Sequence, residues 1–322
     1  GSGAYLELSM SAVAAYGRLK SSFVPAGCLT WTEAASAQAA LADRVAELRA
    51  RGYPSELLSP ERARALEPAL RLGAAVEQVA LYPGEGFVEG APAVAELVAA
   101  ARGHGAVFRF EDGVTEIEIG SRGGPRVVLA SGTRLAADAV VACCGRWSGE
   151  LGALVGVNVP LVSPEPAGSA AVGLLVRASP VAARIRRVLV TDSVMLRPAD
   201  TEGRVLLHSF DHDRLVRSST QEDPPPPEAN DVLAEGRTVM PALDASTVEA
   251  ARIGIRALPS DGLPIVGWLS GLDGLYLVVT HSGVTLAPYL AELVVSEVLD
   301  GADEAQLAPF RPQRFDAAPS AD

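Results

Sequence analysis

Residues 256–288 read RALPSDGLPIVGWLSGLDGLYLVVTHSGVTLAP, and this stretch decides the fold. Its apolar run at 275–280 predicts a β-strand, which a tight turn at 281–284 joins to a helix that ends near Leu299. A strand, a glycine-containing turn and a helix direct backbone N–H groups and the positive end of the helix toward an anionic ligand. At position 283 only glycine would let the backbone approach a flat ring closely. An ordinary connection between a strand and a helix has the same pattern, so this stretch alone leaves both interpretations open.

Other stretches combine helical spacing of apolar residues with helix-terminal residues. Ser59 and Pro60 are typical of an N-cap and of the first helical position. The helix that follows the turn at 281–284 is expected to place Leu290, Leu293, Val294 and Val298 on its inner face. The remaining predicted helices are residues 4–20, 36–51, 59–67 and 92–102, and residues 231–239 and 246–251 are predicted as helix or turn.

Short runs rich in β-branched residues, bounded by glycine turns, predict strands. These runs are residues 23–30, 106–111, 114–119, 126–130, 138–144, 172–177, 194–197 and 204–209. The run at 138–144 is apolar after its first residue, which is typical of a strand buried on both faces. The last three runs are expected to form an antiparallel sheet. Residues 220–230 are an acidic, proline-rich connector, and the polar tail after residue 309 is predicted to be mobile.

The composition excludes several classes of protein. The 322 residues are 48% hydrophobic and 20% charged, too apolar for a disordered chain and without the long uncharged run of a membrane span. This length exceeds what one compact core usually holds, so two domains are expected. The 27 basic and 39 acidic residues give a net charge of -12, which argues against nucleic acid or an anionic membrane as a partner. No signal-peptide pattern precedes the first helix, and the chain starts abruptly with Gly1-Ser2-Gly3.

Lysine and cysteine content narrows the chemistry. Lys20 is the only lysine, so Schiff-base chemistry would depend on a residue in a serine-rich loop, and we set it aside. The three cysteines are Cys28, Cys143 and Cys144, and neither adjacent cysteines nor any Cys/His spacing here predicts a disulfide or a metal site. We therefore expect no metal and a reducing, cytoplasmic location.

The segments RALPSDGLPIVG at 256–267 and THSGVTLAP at 280–288 closely resemble the C-terminal signature of one flavoenzyme family. This is the FAD-dependent D-amino-acid oxidase, glycine oxidase and sarcosine oxidase (DAO) family, in which the corresponding stretch passes under the flavin ring. The resemblance extends over essentially the whole chain. Further matching segments are YLELS at 5–9, FVPAGCLT at 23–30 with Cys28 in place of serine, LLSPERARALEP at 57–68, residues 87–105, VVACCGRWS at 140–148, and LRP at 196–198 with Gly203-Arg204.

One departure from the family concerns its nucleotide-binding start. Members begin with a strand, a G-x-G-x-x-G turn, a helix and a second strand ending in an acidic residue. Gly1-Ser2-Gly3 follows no strand and position 6 is Leu6, so the fingerprint is absent. We expect either that this first unit lies elsewhere, as a complementing N-terminal segment, or that it was lost. A tag remnant would also explain Gly1-Ser2-Gly3, and the reading frame upstream of Gly1 would distinguish these cases.

The resemblance implies an α/β fold with an α+β substrate domain. An incomplete, Rossmann-like FAD-binding domain would interleave with a substrate domain built on an antiparallel sheet. The expected FAD-binding domain is residues 1–20, 90–160 and 252–310, the substrate domain is residues 21–89 and 161–251, and residues 311–322 are a tail. The expected macromolecular partner is a second copy of the chain, in a homo-oligomer, or a complementing N-terminal segment. Without the first unit, apolar strand edges near residues 106–145 and 275–285 are expected to be uncovered.

The function implied by the resemblance is oxidation of a small-molecule amine or amino acid, with hydride transfer from the α-carbon to N5 of FAD. In such enzymes the flavin carries the redox chemistry and the protein orients the substrate, so no side-chain base is strictly required. Two alternatives stay open. One is a degenerate, non-catalytic binding protein on the same scaffold, and the other is a flavin dehydrogenase that passes electrons to a partner instead of oxygen.

The resemblance also implies roles for individual residues. Arg256 falls where relatives place a carboxylate-binding arginine, although an ion pair at a domain boundary is an alternative. His281 could donate a hydrogen bond to substrate or flavin, or could be purely structural. We therefore predict Arg256 and His281 as catalytic. The predicted cofactor-binding residues are Val114, Cys144, Gly145, Gly283, Val284 and Thr285, and the weaker substrate-binding candidates are Arg197 and Arg252.

Overall fold

The computed structural model describes residues 3–18, 23–120 and 124–316. The predictions that concern Gly1, Ser2, Lys20 and residues 317–322 lie outside these described residues. Within them, the protein is a mixture of helices and strands that form several separate sheets.

The α-helices are numbered along the chain. They are α1 (Gly3–Ala15), α2 (Ala35–Ala50), α3 (Pro60–Leu66), α4 (Gly90–Gly103), α5 (Ser148–Ala153), α6 (Phe210–Asp213), α7 (Glu228–Val239) and α8 (Gly283–Leu299). Short 3-10 helices cover Tyr16–Arg18, Gly145–Trp147, Pro241–Ala245, Ala305–Phe310 and Pro312–Phe315.

The strands are numbered in the same way. They are β1 (Phe23–Val24), β2 (Cys28–Thr30), β3 (Glu56–Leu58), β4 (Val79–Tyr82), β5 (Phe87–Val88), β6 (Val114–Ile119), β7 (Pro125–Leu129), β8 (Arg134–Ala136), β9 (Val140–Ala142), β10 (Val172–Ala178), β11 (Val188–Val190), β12 (Met195–Pro198), β13 (Val205–His208), β14 (Val248–Ile255), β15 (Ile265–Trp268) and β16 (Leu275–Val279).

The chain folds as two compact units. Unit 1 contains Gly1–Ser21, Gly90–Val162 and Arg256–Asp322, and unit 2 contains Ser22–Glu89 and Ser163–Ile255. Residues 252–255, which we had expected in the FAD-binding domain, complete β14 and so belong to unit 2.

Unit 2 is built on an eight-stranded sheet in the order β14-β10-β13-β12-β11-β2-β4-β3. Its neighbours are antiparallel except for β11 and β2, which run parallel. Residues alternate across this sheet: Leu174 and Val176 are completely buried, whereas Leu175 between them is 41% exposed. The buried face packs against Val232 and Leu233 of α7. One face of the sheet is therefore the core of unit 2, and the other is open within the unit.

Unit 1 contains a three-stranded sheet in the order β15-β16-β9 and a separate antiparallel meander, β6-β7-β8. β15 is antiparallel to β16, and β9 is parallel to it. The apolar faces of α1 and α8 pack together, with Leu8 at 1% and Leu290 at 4% exposure. Leu293 and Val294 are also buried and Val298 is partly buried, so the predicted inner face of α8 is confirmed.

The predicted helices at 4–20, 36–51, 59–67 and 92–102 are present as α1 to α4 over the described residues. Ser59 caps α3 as expected, because its side chain accepts a hydrogen bond from the Arg62 N–H, and Pro60 is the first helical residue. Local sequence signals were sufficient for these elements.

Several strand predictions were wrong or incomplete. Residues 106–111 form no strand, and Val107 and Phe110 are 85% and 65% exposed. Residues 246–251 were predicted as helix or turn, but residues 248–251 belong to β14, because pairing with β10 outweighs the helical preference of Glu249-Ala250-Ala251. The run at 138–144 contributes only β9, whose Val141 is 39% exposed, so it is not buried on both faces.

The predicted strand at 23–30 is interrupted by Pro25, and β1 and β2 join different sheets. The short strands β3, β4, β5, β8 and β11 were not predicted.

The prediction of a mobile tail was also wrong over the described residues. Phe310 is completely buried, and Arg311 binds the buried carboxylate of Glu297 on α8. Arg314 binds the Asp261 carboxylate with Nε at 2.8 Å and Nη2 at 3.1 Å. The segment through Phe315 is therefore docked on unit 1. In the described part of the chain no helix combines the length and apolarity needed to cross a bilayer.

Candidate active site

The start of α8 carries three of the predicted cofactor-binding residues. Gly283, Val284 and Thr285 are its first three residues, and all are exposed. The first N–H groups of a helix have no acceptor within the helix, so this end presents donors and the positive end of the dipole. The preceding Ser282 hydroxyl is engaged elsewhere: it lies 2.7 Å from the Tyr5 hydroxyl and 3.2 Å from Nε2 of His281.

Gly283 has no structural requirement to be glycine. Its φ is outside the left-handed region, and a Cβ built on it would meet no atom within 4 Å among the described residues. Any small side chain would therefore fit here without strain. This observation favours the interpretation in which a ligand approaches the backbone at position 283.

A tyrosine binds the start of α8 at a carbonyl that a proline leaves without its helical donor. Pro288 lies inside α8 and has no N–H, so the Val284 carbonyl four residues earlier lacks its usual helical donor. The Tyr16 hydroxyl donates a hydrogen bond to this carbonyl. Burial raises the pKa of Tyr16, so the hydroxyl keeps its proton. Sequence reasoning missed this contact, because it joins residues that are far apart in the chain.

His281 and Arg256, the two predicted catalytic residues, lie near each other in unit 1. Partial desolvation and then the positive charge of Arg256 lower the pKa of His281 below 6.5. The ring is therefore neutral at pH 7 and can exchange a hydrogen bond as donor or acceptor. Arg256 follows β14 directly and opens the loop that leads to β15.

Cys144 and Gly145 follow the carboxyl end of β9. Because β9 and β16 are parallel neighbours, their carboxyl ends lie at the same edge of the sheet as the turn before α8. Gly145 has a φ of 55°, in the left-handed region that glycine adopts readily, and starts a 3-10 helix. The structure thus brings Cys144 and Gly145 to the edge that also carries Gly283.

Val114 is placed differently from the other predicted cofactor residues. It is the first residue of β6, it is 38% exposed, and it belongs to the meander rather than to the β15-β16-β9 sheet. The strand that was expected just before it, at 106–111, is not formed.

Arg197 and Arg252 lie on the open face of the eight-stranded sheet in unit 2. Arg197 on β12 stacks over the Phe87 ring at 4.9 Å and donates to the Pro198 carbonyl. Burial lowers the pKa of Arg197, and no carboxylate of the described residues forms an ion pair with it. Arg252 on β14 has an ion pair with Glu222, at 3.6 Å, and is largely exposed. Arg197 is the better placed of the two to bind an anion.

Two carboxylates that pair with a histidine or an arginine were not identified from the sequence. Asp213 is buried and binds Nε2 of His208 at 2.8 Å while accepting from the Leu174 N–H at 2.7 Å. Asp261, part of the quoted stretch, pairs with Arg314 of the C-terminal segment. The His208–Asp213 spacing of five residues was visible in the sequence, but Asp261 and Arg314 are brought together only by the fold.

The three cysteines are free thiols. Burial and then the nearby Glu85 raise the pKa of Cys28 to about 12, so this thiol is unreactive. Burial also raises the pKa of Cys144, and burial together with the neighbouring Cys144 raises that of Cys143. Over residues 3–18, 23–120 and 124–316, no three His, Cys, Asp or Glu side chains are grouped as a metal site would need.

Comparison with known proteins identifies the family to which the chain belongs. Residues 3–297 match the DAO family, described as FAD dependent oxidoreductase. A glycine oxidase of Geobacillus kaustophilus (strain HTA426) is 30% identical over 267 residues, which cover 80% of this chain and 66% of the relative. An opine oxidase component of Agrobacterium tumefaciens (strain Ach5) is 26% identical over 272 residues, 84% of this chain and 68% of the relative. The chain thus spans about two thirds of the length of these curated relatives.

Solved structures show the same fold. The crystal structure of an L-proline dehydrogenase from P. horikoshii aligns with a TM-score of 0.84 and 17% identity, covering 98% of this chain and 84% of the other. Together with the α/β composition and the interleaved units, these matches confirm the predicted fold class. This chain belongs to the DAO family of FAD-dependent oxidoreductases.

Proposed function

We propose that this chain oxidises a small-molecule amine or amino acid with FAD as cofactor. The observation that carries this proposal is the exposed start of α8 at Gly283, with Arg256 and neutral His281 in the same unit. Glycine oxidase and opine oxidase among the relatives support an amino-acid or amine substrate for this chain.

The residues present fit FAD at the carboxyl edge of β9 and β16. Gly283, Val284 and Thr285 offer exposed backbone donors and the positive helix end, which favour an edge of the ring where negative charge develops. The space in front of Gly283 is open, as a flat ring requires. In this proposal Cys144 and Gly145 hold the adenosine or pyrophosphate part, and Val114 lies beside the adenine.

When bound, FAD supplies a hydride acceptor at N5 for the α-carbon of a neutral amine, whose nitrogen lone pair forms the new C=N bond. The residues of this chain orient the substrate for this reaction. Arg256 binds the carboxylate of an amino acid through its bidentate guanidinium. His281, neutral at pH 7, adds a hydrogen bond without adding charge next to Arg256.

We further propose that a complementing N-terminal segment adds a strand beside β9. β9 pairs with β16 alone among the described strands, and its Val141 is 39% exposed. In the same unit the segment at 106–111 exposes Val107 and Phe110, and no residue of α4 is buried. Uncovered strand edges and apolar patches of this kind are normally covered in native proteins. A second copy of the chain is the alternative cover, and the molar mass of the native protein distinguishes the two.

The free thiols support a reducing compartment, and we propose the cytoplasm. Whether the electrons go to oxygen or to a partner protein distinguishes an oxidase from the dehydrogenase alternative.

The test uses protein expressed from its complete reading frame. We expect a flavin absorption band, and turnover of one or more substrates in a panel of amino acids and N-methyl amines. Oxygen consumption indicates an oxidase, whereas reduction of an artificial dye without oxygen uptake indicates a dehydrogenase. A folded, colourless protein that FAD cannot reconstitute would leave only the non-catalytic binding protein.

Arg256→Leu tests the assigned role of the arginine. It is expected to raise KM for amino acids about tenfold or more, through loss of a charge-assisted pair, and to leave the flavin band unchanged. Arg62→Leu removes an exposed ion pair with Glu56 and serves as the control. Unchanged kinetics of Arg256→Leu would remove Arg256 from the substrate site.

A further inference from the structure

A chain of hydrogen bonds connects α1 with His281, in the turn between β16 and α8. The hydroxyl oxygens of Tyr5 on α1 and of Ser282 lie 2.7 Å apart. The hydroxyl oxygen of Ser282 lies 3.2 Å from Nε2 of His281. All three residues belong to unit 1, so the chain is formed within one unit.

The backbone fixes the position of Ser282, the middle member of this chain. The Ser282 N–H donates to the Thr280 hydroxyl at 3.2 Å, and the Ser282 carbonyl accepts from the Leu286 N–H at 2.9 Å. Ser282 precedes α8, but its side chain forms no capping hydrogen bond with the helix. Its hydroxyl therefore serves Tyr5 and His281. Tyr5 is partly buried and packs against the apolar cluster of α1 and α8, so its ring is held by the same helix pair.

The strengths of the donors and acceptors determine the direction of each hydrogen bond in the chain. A phenol O–H is a stronger donor than an aliphatic hydroxyl, and its oxygen is a weaker acceptor, because the ring delocalises the oxygen lone pair. An unprotonated imidazole nitrogen is a stronger acceptor than either oxygen. The favoured arrangement therefore has Tyr5 donating to Ser282 and Ser282 donating to Nε2 of His281. A neutral imidazole carries one N–H, so the proton of His281 lies on Nδ1.

The Nδ1 atom of His281 is open to a ligand. No residue in the described part of the chain forms a hydrogen bond with it, and the side chain is exposed. Arg256 lies close enough for its positive charge to act on the His281 ring. An anion bound by Arg256 is therefore within reach of a donor on this ring.

We propose that Tyr5 and Ser282 are positioning residues that hold His281 in its Nδ1–H tautomer, so that Nδ1 donates to the substrate carboxylate bound by Arg256. His281 then acts as a hydrogen-bond donor and not as a base, which agrees with hydride transfer from a neutral amine. The role toward the carboxylate rests on the proposed function. The tautomer does not rest on it, because it follows from contacts within unit 1.

The tautomer is measured by nitrogen NMR of protein labelled at its histidine nitrogens and expressed from its complete reading frame. The His281→Gln variant assigns the signals of His281. We expect a protonated Nδ1 and an unprotonated Nε2 at neutral pH. An unconstrained histidine in water favours the opposite tautomer, so the expected spectrum is distinct from that of a free ring.

Variants of the chain test what holds this tautomer. Ser282→Ala is expected to lower the ratio of the Nδ1–H to the Nε2–H tautomer about fivefold, the factor of one ordinary hydrogen bond. Tyr5→Phe is expected to lower the ratio by less, because Ser282 still donates to Nε2. Ser282→Thr keeps a hydroxyl and should preserve the tautomer. An Nε2–H tautomer in the unmodified protein, or a ratio that Ser282→Ala leaves unchanged, would overturn the proposal.

The matched control for Tyr5→Phe is Tyr289→Phe on α8. Tyr289 is partly buried against the same apolar cluster, and its hydroxyl donates to Gln306 at 2.9 Å. Its loss should leave the tautomer ratio of His281 unchanged. An equal change in both phenylalanine variants would mean that the ratio reports general loosening of the helix pair, and would overturn the role of Tyr5.

Turnover tests the role of the tautomer in substrate binding. Ser282→Ala is expected to raise KM for amino acids about fivefold, because the hydrogen bond to the carboxylate is weakened. KM for amines without a carboxylate should stay unchanged, as should the flavin band. An unchanged KM for amino acids would overturn the role of the chain in substrate binding.

The two measurements separate this inference from the proposed function. The expected tautomer in a protein that oxidises no amine would refute the proposed reaction and keep the assignment of the tautomer. Amine oxidation by a protein with the Nε2–H tautomer would refute this inference and keep the oxidoreductase.

Discussion

Two segments of unit 1 behave in opposite ways. Residues 106–111 contain Val107, Phe108 and Phe110 and have the composition of a strand, yet they form none and leave Val107 85% exposed. The segment after Pro309 was predicted to be a polar, mobile tail, yet it buries Phe310 completely and binds α8 through Arg311. What differs is the availability of partners. A strand needs a neighbouring strand for its backbone groups, whereas the C-terminal segment meets the carboxylates of Glu297 and Asp261.

The largest expected difference between the two segments is in how far an alanine substitution lowers the free energy of unfolding of the protein. Phe310→Ala should destabilise the protein by about 3–5 kcal/mol, because a fully buried ring is lost and a cavity remains. Phe110→Ala, at a residue 65% exposed, should change it by less than about 0.5 kcal/mol. Urea unfolding of both variants measures this. Equal losses would mean that the segment at 106–111 is packed in solution.

As the pH falls, the C-terminal segment at 305–315 should detach before the rest of unit 1 unfolds. Although burial favours the protonated form of Glu297, hydrogen bonds from Arg311 and Tyr276 hold its pKa below 4.5. A carboxylate with a lowered folded pKa stabilises the protein above the unfolded pKa, and this stabilisation is lost as the pH falls through the folded value. Hydrogen exchange at 305–315 should therefore rise below pH 4.5, after correction for the intrinsic rate.

The segment at 106–111 is the internal control for this experiment and should show no such change. Glu297→Gln should remove the pH dependence at 305–315. If exchange at 305–315 in the unmodified protein is independent of pH, the Arg311–Glu297 pair does not hold the segment.

A smaller effect is expected at Arg314. Arg314→Gln should cost about 1 kcal/mol, because the Asp261 side chain is 33% exposed and solvent screens the pair. The matched control is Arg109→Gln in the exposed segment, where the Asp112 carboxylate is 3.7 Å away and a change near zero is expected. Hydrogen exchange at residues 257–264 should become faster in the Arg314→Gln variant and stay unchanged in the Arg109→Gln variant. A similar increase in hydrogen exchange in both variants would show that the ion pair with Arg314 does not stabilise the loop that contains Asp261.

The sequence was informative where local patterns determine structure. Ser59 and Pro60 identified the start of α3, and the spacing of Leu290, Leu293 and Val294 identified the buried face of α8. The quoted stretch identified the turn at Gly283 and, through resemblance, the family.

The sequence was not informative where a contact with a residue far away in the chain determines the local structure. Residues 248–251 become a strand because β10 pairs with them, and the C-terminal segment packs on unit 1 because α8 carries Glu297. For the same reason, the hydroxyl of Tyr16 on the Val284 carbonyl could not be anticipated. In the site, residue types could be predicted from the motif, but the proximity of Arg256 and His281 required the three-dimensional structure.

The most direct test of the central claim, that the start of α8 holds FAD, is a titration of FAD against two matched glycine variants. Gly283 and Gly90 are both first residues of helices, and a Cβ on either meets nothing within 4 Å among the described residues. Gly283→Val and Gly90→Val should therefore leave the free energy of unfolding nearly unchanged.

The measurement is the quenching of FAD fluorescence by protein expressed from its complete reading frame. We predict that Gly283→Val weakens FAD binding at least about tenfold, because the added side chain occupies the space that the ring needs, while Gly90→Val binds as the unmodified protein does. Equal affinity of all three proteins for FAD would contradict the claim.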